Sequence, residues 1–372
     1  MAVKIVPYEA SFEPAVASFN GRLRAGGAAQ RFPEKHVPAW LPPAQGRTLF
    51  FEFFLAVENE ATVRGCYALK HQEYWIGGQQ QSIGYLALPL SEGIVNRSYT
   101  AIGAQLLLHA IRRQPMMYVL GMGGQEEAIT HLVRAAGWRV VTVPFYFQVV
   151  HPFAFLRNIR ILRRSRLRRF ALDALALSGT GWVIGKGANF ALSCGAPSHR
   201  RLAVEEVDEF SDWADELWQA CASEYRYCAV RDAATLRILY PKENSRFIRL
   251  RIAEAGRWIG WAVLLATDLK DHKQFGNMRL GSIVDAFARP ADAEKIVFAA
   301  QRLLWTKAVD LMVLNQSHAC WCRALKKCGF LAGPSNFLLG TSRKLTETLD
   351  RLQIVGDMLY LDRGDGDGPI NL

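Results

Sequence analysis

Internal repetition is the feature that most constrains the fold of this 372-residue chain. Three pairs of segments resemble each other in the same order, at offsets of about 192 to 200 residues: 54–69 with 250–264, 82–90 with 282–290, and 131–138 with 323–330. In the first pair, each segment reads as a strand, a polar turn and a second strand that opens at a glycine, Gly65 or Gly260. A repeated order at a near-constant offset indicates two copies of one fold, at about 1–150 and 200–345.

The two copies share one predicted order of elements. A hairpin and a third strand precede a long helix, at about 99–113 in the first copy and 291–308 in the second. A short apolar strand, a helix ending in a glycine before an aromatic residue, and a final strand follow. We expect VVTVPFYFQVV and NFLLGTS to close their own copies. Strands alternating with helices predict an α/β fold made of two mixed-sheet domains.

Composition limits the classes of protein that fit. Half of the residues are hydrophobic, which allows a sizeable core, and the net charge of +11 suggests an anionic partner. The first residues lack the apolar run of a signal peptide, and the uncharged run 140–156 contains two prolines and reads as a strand and a turn. Seven cysteines without a secretion signal favour reduced thiols, so we expect a cytoplasmic protein.

A basic segment separates the two copies. FLRNIRILRRSRLRRF (155–170) contains seven arginines, between Arg157 and Arg169, and no acidic residue. It could form an amphipathic helix on an anionic membrane surface at the inner membrane, or lie against RNA. The favoured alternative is a connector whose narrow apolar face packs on a domain. We therefore assign 151–199 to a basic linker and 346–372 to a C-terminal extension.

The segment GYLALPLSEGIVNRSYTAIGAQLLLHAI (84–111) is a candidate anion site. It predicts a strand, a loop and a long helix, and the unpaired N–H groups of a helix start attract anions. Ser98, Ala101 and Gly103 are small enough for a diphosphate to approach the backbone, and Arg97 adds a positive charge.

This segment resembles the GCN5-related N-acetyltransferase (GNAT) superfamily in a tandem arrangement. In that family, an Arg/Gln-x-x-Gly-x-Gly/Ala loop before a helix holds the pyrophosphate of acetyl-CoA. SYTAIGAQLL keeps Gly103, but Ala101 stands at the middle glycine and Ser98 at the Arg/Gln position. The resemblance assigns cofactor contacts to this loop and to the preceding strand: Leu88, Leu90, Arg97, Ser98, Ala101 and Gly103.

A second family signature is a helix of the form Asn-x-x-Ala-x-x-x-Tyr-x-x-x-Gly-Phe. HACWCRALKKCGF (318–330) keeps the alanine and Gly-Phe, but has His318 at the Asn position and Leu325 at the Tyr position; Val133 stands at the Tyr position of the first copy. The family's usual general acid is therefore missing from both copies. Metal binding is not expected here, because Cys320 and Cys322 would point to different sides of a helix.

The resemblance implies acyl transfer from acetyl-CoA or another acyl-CoA to an amine of a small-molecule, sugar or peptide acceptor, as in tandem proteins of bacterial polysaccharide or metabolite biosynthesis. Its candidate catalytic residues are Glu92, after the third strand of the first copy, Asp285, inside the equivalent strand of the second, and His318 as a proton carrier. No residue pattern chooses among three tyrosines as the acid: Tyr85, Tyr99 and Tyr146.

The second copy lacks the phosphate loop, because Asp292 and Glu294 would oppose a phosphate at its helix start. We therefore place the CoA in the first copy. The second copy would shape the acceptor site with three residues: Tyr225, Tyr227 and Arg231. Asp232, next to Arg231, is expected to cap a helix.

Two alternative functions stay open. A FemABX-type transferase would use aminoacyl-tRNA, which suits the basic charge, but the positive charge is concentrated in the linker and nucleic acid is not the expected partner. A degenerate GNAT-like protein would bind a partner without catalysis. The oligomeric state is unknown. The tail LDRGDGDGPINL is expected to be a turn and a disordered end, since it lacks the spacing of a calcium loop.

Overall fold

The computed structural model describes residues 3–35, 49–160 and 202–366. The strands are, in chain order, β1 (Val3–Pro7), β2 (Phe50–Glu58), β3 (Thr62–Ile76), β4 (Gln79–Ser91), β5 (Met117–Leu120), β6 (Arg139–Thr142), β7 (Phe145–Val149), β8 (Leu202–Glu206), β9 (Tyr227–Ala229), β10 (Ile248–Glu254), β11 (Arg257–His272), β12 (Gly276–Ala288), β13 (Leu311–Asn315), β14 (Leu331–Gly333) and β15 (Leu338–Thr341). The helices are α1 (Glu13–Ala25), α2 (Thr100–Arg113), α3 (Ala128–Ala135), α4 (Pro152–Asn158), α5 (Asp212–Cys221), α6 (Ala233–Leu239), α7 (Ala293–Thr306), α8 (Ala319–Lys327) and α9 (Arg343–Arg351). The long helices and short apolar strands lie where the sequence predicts them.

The chain forms two compact units that are not continuous in sequence. The first unit consists of Met1–Val143, Arg226–Val230 and Asn336–Gly356, and the second of Pro144–Tyr225, Arg231–Ser335 and Asp357–Leu372. The described part of the basic segment includes α4, and its residues from 161 onward, with most of the arginines up to Arg169, lie outside the described residues. Among the described helices, none combines the length and the apolar character needed to cross a membrane.

The sheets of the two units have the same strand order. The first sheet runs β1-β2-β3-β4-β5-β15-β6, with β9 added beside β3, and the second runs β8-β10-β11-β12-β13-β7-β14. Neighbours are antiparallel except for one parallel pair in each sheet, β4 with β5 and β12 with β13. The repeated segments therefore form equivalent elements, which confirms the predicted fold class of two mixed-sheet domains.

The prediction about the closing strands is right for the start of VVTVPFYFQVV, which forms part of β6 in the first sheet, and wrong for β7 and β15. β15, from NFLLGTS, pairs with β5 in the first sheet, and β7, from VVTVPFYFQVV, pairs with β13 in the second. Each sheet therefore takes the strand beside its short apolar strand from the other copy. A strand's apolar pattern shows that one of its faces is buried, but it does not show which sheet edge receives it, so the sequence could not reveal this exchange.

A long helix covers one face of each sheet. In the first unit, the buried side chains of α2 (Ile102, Leu106, Leu107 and Ala110) join a core that contains Tyr67, Leu69 and Leu86. At Gly65 on β3, an added Cβ atom would lie 2.8 Å from Ile102 and 2.9 Å from Leu106. Gly260 on β11 is in the same position under α7, where an added Cβ atom would lie 2.7 Å from Ile296. Both glycines let the helix approach the sheet closely.

Smaller predictions about helix ends are also confirmed. Gly137 and Gly329, which follow α3 and α8, have φ angles of 79° and 84°, a left-handed conformation that glycine adopts easily. Asp232 caps α6, because its carboxylate accepts a hydrogen bond from the Thr235 N–H at 2.8 Å.

For the tail 361–372, the expected turn is present at residues 363–365, the expected disorder is wrong for residues 361–366, and residues 367–372 lie outside the described residues. Leu359, Tyr360 and Leu361 are buried in the second unit, and residues 363–365 form a single helical turn. Asp362 caps this turn, with its side chain accepting from the Gly364 N–H at 2.9 Å. The cause of this order is a set of buried contacts with residues more than 70 positions earlier in the chain, which are described below.

Candidate functional site

An opening between two parallel strands marks the first unit. β4 and β5 pair at Gly84 with Met117 and at Tyr85 with Tyr118, and the pairing ends there. Beyond this point, β4 contains a bulge, because Ala87 pairs with Ala68 and Leu90 with Cys66 on β3. The bulge interrupts the regular ladder and turns the strand away from its neighbour.

The bulge is made of two unusual residues. Leu88 has a φ of 47°, a strained value for a residue with a side chain, and Pro89 has no N–H to donate to a ladder. Such strain persists only where the surroundings enforce it, and it is common at binding sites. β4 therefore ends in an irregular segment that leads directly into the loop before α2.

A buried carboxylate holds this loop. Glu92 follows β4, is 4% exposed, and accepts hydrogen bonds from Arg22 on α1 at 3.1 Å and from Arg64 on β3 at 3.0 and 3.1 Å. The Arg64 guanidinium also lies 4.3 Å from the ring centre of Tyr99, at the start of α2. Glu92 thus connects α1, β3 and the start of α2. It is placed as a structural anchor, and its role as a base stays a prediction.

The loop is folded tightly against α2. At Gly93, an added Cβ atom would lie 2.8 Å from the Thr100 Cα atom and from the Tyr99 carbonyl oxygen, both backbone atoms that cannot move aside. The structure places the predicted cofactor residues along this one segment, from the bulge to the first turn of α2: Leu88, Leu90, Arg97, Ser98, Ala101 and Gly103.

The exposure of this segment suits a ligand that lies on the helix start. Arg97, Ser98 and Ala101 are exposed, and Gly103 is half-buried. An added Cβ atom at Gly103 would have its nearest neighbours at 3.6 Å, on Leu132 of α3, and at 3.7 Å, on the Ser91 hydroxyl. The Ser98 N–H is bonded to the Asn96 side chain and the Thr100 N–H to the Arg97 carbonyl, and an exposed guanidinium beside a helix start is the chemistry of a diphosphate site.

The second unit has the same opening between its parallel strands. β12 and β13 pair from Leu280 with Leu311 to Ser282 with Val313, and then separate. A bulge on β12 follows at once, because Ile283 pairs with Leu264 while Asp285 pairs with the preceding residue of β11, Val263. Asp285 therefore lies at the place in the second unit that corresponds to the bulge of β4 in the first.

Asp285 is part of a buried charged cluster. Arg231 donates from Nε to one carboxylate oxygen of Asp285 at 3.0 Å, and the Tyr240 hydroxyl donates to the other at 2.8 Å. The Arg231 guanidinium also reaches Asp365 at 3.0 Å and Asp362 at 3.6 Å. Burial, together with the charges of Asp285 and Asp365, raises the pKa of Asp362 well above its usual range.

Tyr360 is the residue on which the predicted site residues of the second unit converge. Its ring lies 4.9 Å from the Arg231 guanidinium, 5.1 Å from the ring of Tyr225 and 6.2 Å from the ring of His318, measured to ring centres. Tyr225 is fully packed, since its hydroxyl donates to the Ala288 carbonyl at 2.7 Å and accepts from Trp321 at 2.9 Å. Tyr225 thus contributes to the core of this unit, and its predicted contact with an acceptor stays a prediction.

His318 is a buried neutral imidazole. It occupies the N-cap position of α8 without a side-chain capping hydrogen bond, is 9% exposed, and its Nδ1 atom has no hydrogen-bond partner in the part of the chain that the structure describes. Burial lowers the pKa of His318 to about 4, although the charge of Asp357 opposes the change. The ring is therefore uncharged at neutral pH and retains a lone pair that could accept a proton.

The other predicted residues are divided between the two units. Glu92 belongs to the first unit, while Asp285 and His318 belong to the second. Tyr227 lies on β9 in the first sheet, with its ring 5.1 Å from that of Tyr74, whereas Tyr225 belongs to the second unit. The sequence presents these tyrosines as neighbours, but β9 has joined the other sheet.

The three tyrosines considered as the general acid lie at different places in the fold. Tyr85 is the last paired residue before β4 and β5 diverge, and its hydroxyl approaches the Leu120 carbonyl at 3.4 Å, across the opening. Tyr99 is half-buried against Arg64, and Tyr146 lies in the second sheet, where burial raises its pKa. Of these three tyrosines, Tyr85 is the one that lies at the opening between β4 and β5.

The cysteines of α8 do not converge. The Cys322 thiol donates to the Gln316 carbonyl at 3.3 Å and the Cys328 thiol to the Glu294 carbonyl at 3.6 Å. Burial raises the pKa of Cys328 to about 12, so this thiol stays protonated. Within the described residues, no group of three or more His, Cys, Asp or Glu side chains could hold a metal ion.

Sequence reasoning missed the partners that complete these clusters: Arg22, Arg64, Tyr240, Tyr360, Asp362 and Asp365. One signal was present, because three acidic residues in the tail, among them Asp362 and Asp365, stand in a basic chain. Their partner, Arg231, lies 134 residues before Asp365, and nothing in a single sequence indicates such a pairing.

Comparison with solved structures identifies the fold. No protein-family model and no curated protein sequence matches the chain. A conserved Enterococcus faecalis protein of unknown function, described as a probable N-acyltransferase, is similar with a TM-score of 0.52 at 8% identity, over 94% of this chain and 74% of that one. Saccharomyces cerevisiae N-myristoyltransferase with bound myristoyl-CoA matches with a TM-score of 0.52 at 8% identity, over 92% and 78%.

A third similar structure is the GCN5-related glucosamine N-acetyltransferase region of a fungal multi-domain β-N-acetylglucosaminidase, with a TM-score of 0.54 at 11% identity. The match covers 91% of this chain and 38% of the fungal chain. At such identities the likeness concerns the fold alone.

Proposed function

We propose that this chain, which has the GNAT fold in two tandem copies, is an acyl-CoA-dependent N-acyltransferase whose first unit binds the acyl-CoA. The observation that carries the proposal is the opening between β4 and β5, with Leu88 in a strained conformation at its edge and the first turn of α2 directly after it. An opening of this kind can admit the thioester arm, while the helix start binds its diphosphate.

Arg97 would provide the charge for the diphosphate. It is exposed at the start of α2, so an anion can reach it without displacing another side chain. Ser98 and Ala101 are exposed beside it, and Gly103 leaves space toward Ser91 and α3. Charge-assisted hydrogen bonds from a guanidinium to phosphate are among the stronger single contacts in proteins.

The reaction needs few groups once the donor is bound. The amine nitrogen forms a bond to the thioester carbonyl carbon, the C–S bond breaks, the nitrogen loses a proton and the thiolate gains one. Tyr85 lies where the strands separate, and its phenol is the group we propose as proton donor to the thiolate. The proton that the amine nitrogen loses passes through water to the tyrosinate and restores the phenol. In this proposal Glu92 holds the loop through Arg22 and Arg64. The catalytic roles predicted for Asp285 and His318 stay predictions.

The acyl chain and the acceptor are open parts of the proposal. The yeast enzyme of similar fold was solved with myristoyl-CoA and the fungal region is named for glucosamine, so both short and long donors and amino-sugar acceptors are reasonable probes. The acyl-CoA binding step can be tested without knowing the acceptor.

Calorimetric titration with acetyl-CoA and with myristoyl-CoA tests this binding step. Wild-type protein should bind at least one of them, and Arg97→Ala should weaken binding about 3- to 10-fold, an effect that shrinks at high salt. Arg112→Ala removes the same charge from the exposed C-terminal turn of α2 and should leave the affinity within about twofold. Absence of binding by the wild-type protein would refute the proposal, and salt-sensitive binding of tRNA instead would favour an aminoacyl-tRNA-dependent transferase.

A further inference from the structure

The opening in the second unit is filled by the chain itself. Residues 357–366, which we name the C-terminal strap, run between the two separated strands. On the β12 side, the Tyr360 hydroxyl donates to the Ala286 carbonyl. Past the end of β13, the Ser317 N–H donates to the Leu361 carbonyl at 3.2 Å and the Ser317 hydroxyl accepts from the Leu361 N–H at 3.0 Å. The strap is therefore hydrogen-bonded to both walls of the opening.

The charged cluster fixes the far end of the strap. Arg231 binds Asp365 at 3.0 Å and lies 3.6 Å from Asp362, and all three side chains are almost completely buried. Gly364 packs directly on the cluster, because an added Cβ atom would lie 2.9 Å from an Asp285 carboxylate oxygen and closer still to the Tyr240 hydroxyl. Buried charges that are paired in this way are costly to separate, so the strap is held firmly.

Little space is left beside the strap. A cavity of about 10 Å³ remains, lined by residues from β12, α7 and the end of β13 together with Trp321, Tyr360 and Asp362. Such a volume holds about one water molecule and is far too small for the thioester arm of a CoA ester.

The helix start that follows this opening is also unsuited to phosphate. Asp292 is the N-cap residue of α7, without a side-chain capping hydrogen bond, and Glu294 lies in the first turn. Asp292 binds Lys295 at 2.8 Å, and Glu294 binds Lys327 at 3.0 Å. Carboxylates in a first turn already satisfy the helix dipole and repel a second anion.

We propose that the C-terminal strap permanently occupies the opening of the second unit in the position that an acyl-CoA arm would take, so that the protein binds one acyl-CoA per chain, in its first unit. That the strap occupies the opening does not depend on the proposed function. The count of one acyl-CoA per chain rests on the proposed function. The second unit is then a closed copy whose buried cluster of Arg231, Asp285 and Tyr240 serves to hold the strap.

Hydrogen exchange measured by mass spectrometry tests the strap in wild-type protein, with and without saturating acetyl-CoA, beside a calorimetric stoichiometry. We expect the peptide covering 357–366 to exchange at least about 100-fold more slowly than an unstructured peptide and to keep this protection, within about twofold, when ligand is added. Fast exchange in the free protein, loss of protection on adding ligand, or two acetyl-CoA molecules per chain would each overturn the proposal.

A matched pair of variants tests how the strap is held. Gly364→Val should speed exchange of the strap about tenfold or more, whereas Gly356→Val, which has open space around its Cβ position just before the strap, should not. Equal exchange in the two variants would contradict the packing described for Gly364. A protected strap in a protein that binds no acyl-CoA would refute the proposed function and leave the strap intact, so the two failures can be distinguished.

Discussion

The guanidinium of Arg231 and the carboxylate of Asp285 form an ion pair at 3.0 Å in which both side chains are 1% exposed. Arg231 comes from the segment before α6 and Asp285 from the bulged part of β12, at the opening of the second unit. The sequence predicts acceptor binding for Arg231 and catalysis for Asp285. In the structure these two side chains bind each other, and the tail residue Asp365 binds the same guanidinium.

Removing Arg231 should destabilise the second unit strongly. Arg231→Met keeps the length of the side chain but leaves buried carboxylates without their counter-ion, so we expect the free energy of unfolding to fall by about 3–5 kcal/mol. Arg160→Met removes a largely exposed partner of Asp271 and should cost less than about 1 kcal/mol. Urea titrations of both variants measure these changes, and equal effects would show that the buried cluster contributes little.

His318 should make stability depend on pH. Its pKa is about 4 in the folded protein and 6.5 as the ordinary value, so the unfolded chain takes up a proton first as the pH falls. The contribution of neutral His318 to the free energy of unfolding is therefore fully present above pH 6.5. It is lost as the pH falls toward 4, by roughly 3 kcal/mol in all.

Urea unfolding at pH 7.5 and pH 4.5 isolates this effect when wild type is compared with His318→Phe. The wild type should lose roughly 2.5 kcal/mol more than the variant between these two pH values. His131→Phe, at an imidazole that is 60% exposed, is the matched control and should lose as much as the wild type. A loss in His318→Phe as large as that of the wild type would show that His318 is protonated normally in the folded protein.

Gly65 and Gly260, which occupy equivalent positions under the long helices of the two units, should respond alike to substitution. A Cβ atom at Gly65 would meet Ile102 and Leu106, and at Gly260 it would meet Ile296 and the Phe287 carbonyl at 2.6 Å. Gly65→Ala and Gly260→Ala should each lower the free energy of unfolding by about 1–3 kcal/mol, because the helix must move away from the sheet.

Gly21→Ala provides the control for these two variants. Gly21 lies inside α1 and has open space around its Cβ position, so alanine should stabilise the protein by about 0.5–1 kcal/mol through helix propensity. Thermal or urea unfolding of the three variants measures these changes in the free energy of unfolding. If Gly260→Ala were harmless while Gly65→Ala destabilised the protein, the two copies would not be equivalent at this position.

Tyr85→Phe tests the proposed acid. The change keeps the ring, which lies near Lys70 and Tyr118, and removes only the hydroxyl at the opening. We expect the turnover number for thiol release from acyl-CoA, measured with an amine that the wild type accepts, to fall about 100-fold or more. The affinity for acyl-CoA should stay within about twofold.

Tyr74→Phe is the matched control for this assay, because its hydroxyl donates to that of Tyr118 at 2.6 Å and has no proposed role in proton transfer. Its turnover should remain close to that of the wild type. Turnover in Tyr85→Phe that equals the wild-type value would assign protonation of the thiolate to water or to another residue.

Local patterns made much of the fold predictable. Helix α2 could be located because its apolar residues recur at helical spacing, and Gly137 and Gly329 marked helix ends because left-handed backbone favours glycine. The order of elements then followed from the repeat. The exchange of β7 and β15 could not be predicted, since pairing partners far apart in the chain leave no trace in either strand's own pattern.

The candidate site was predictable in its residue types and less so in its contacts. Glu92 and Asp285 stood out as carboxylates beside apolar strands, where an unpaired charge would be costly. What the sequence could not reveal is that both already have counter-ions, Arg64 and Arg231. The ordered tail was missed for the same reason, because its stability depends on Arg231 and on the opening in β12 rather than on its own acidic composition.

The central claim is that the start of α2 in the first unit binds acyl-CoA, and titration of Gly103→Trp with acetyl-CoA tests it most directly. A tryptophan at this half-buried position would fill the space toward Ser91 and Leu132, whereas Gln105→Trp places the same ring on the exposed side of α2. The account predicts one site per chain in the wild type and in Gln105→Trp, and no measurable binding in Gly103→Trp. Wild-type affinity in a folded Gly103→Trp protein would contradict it.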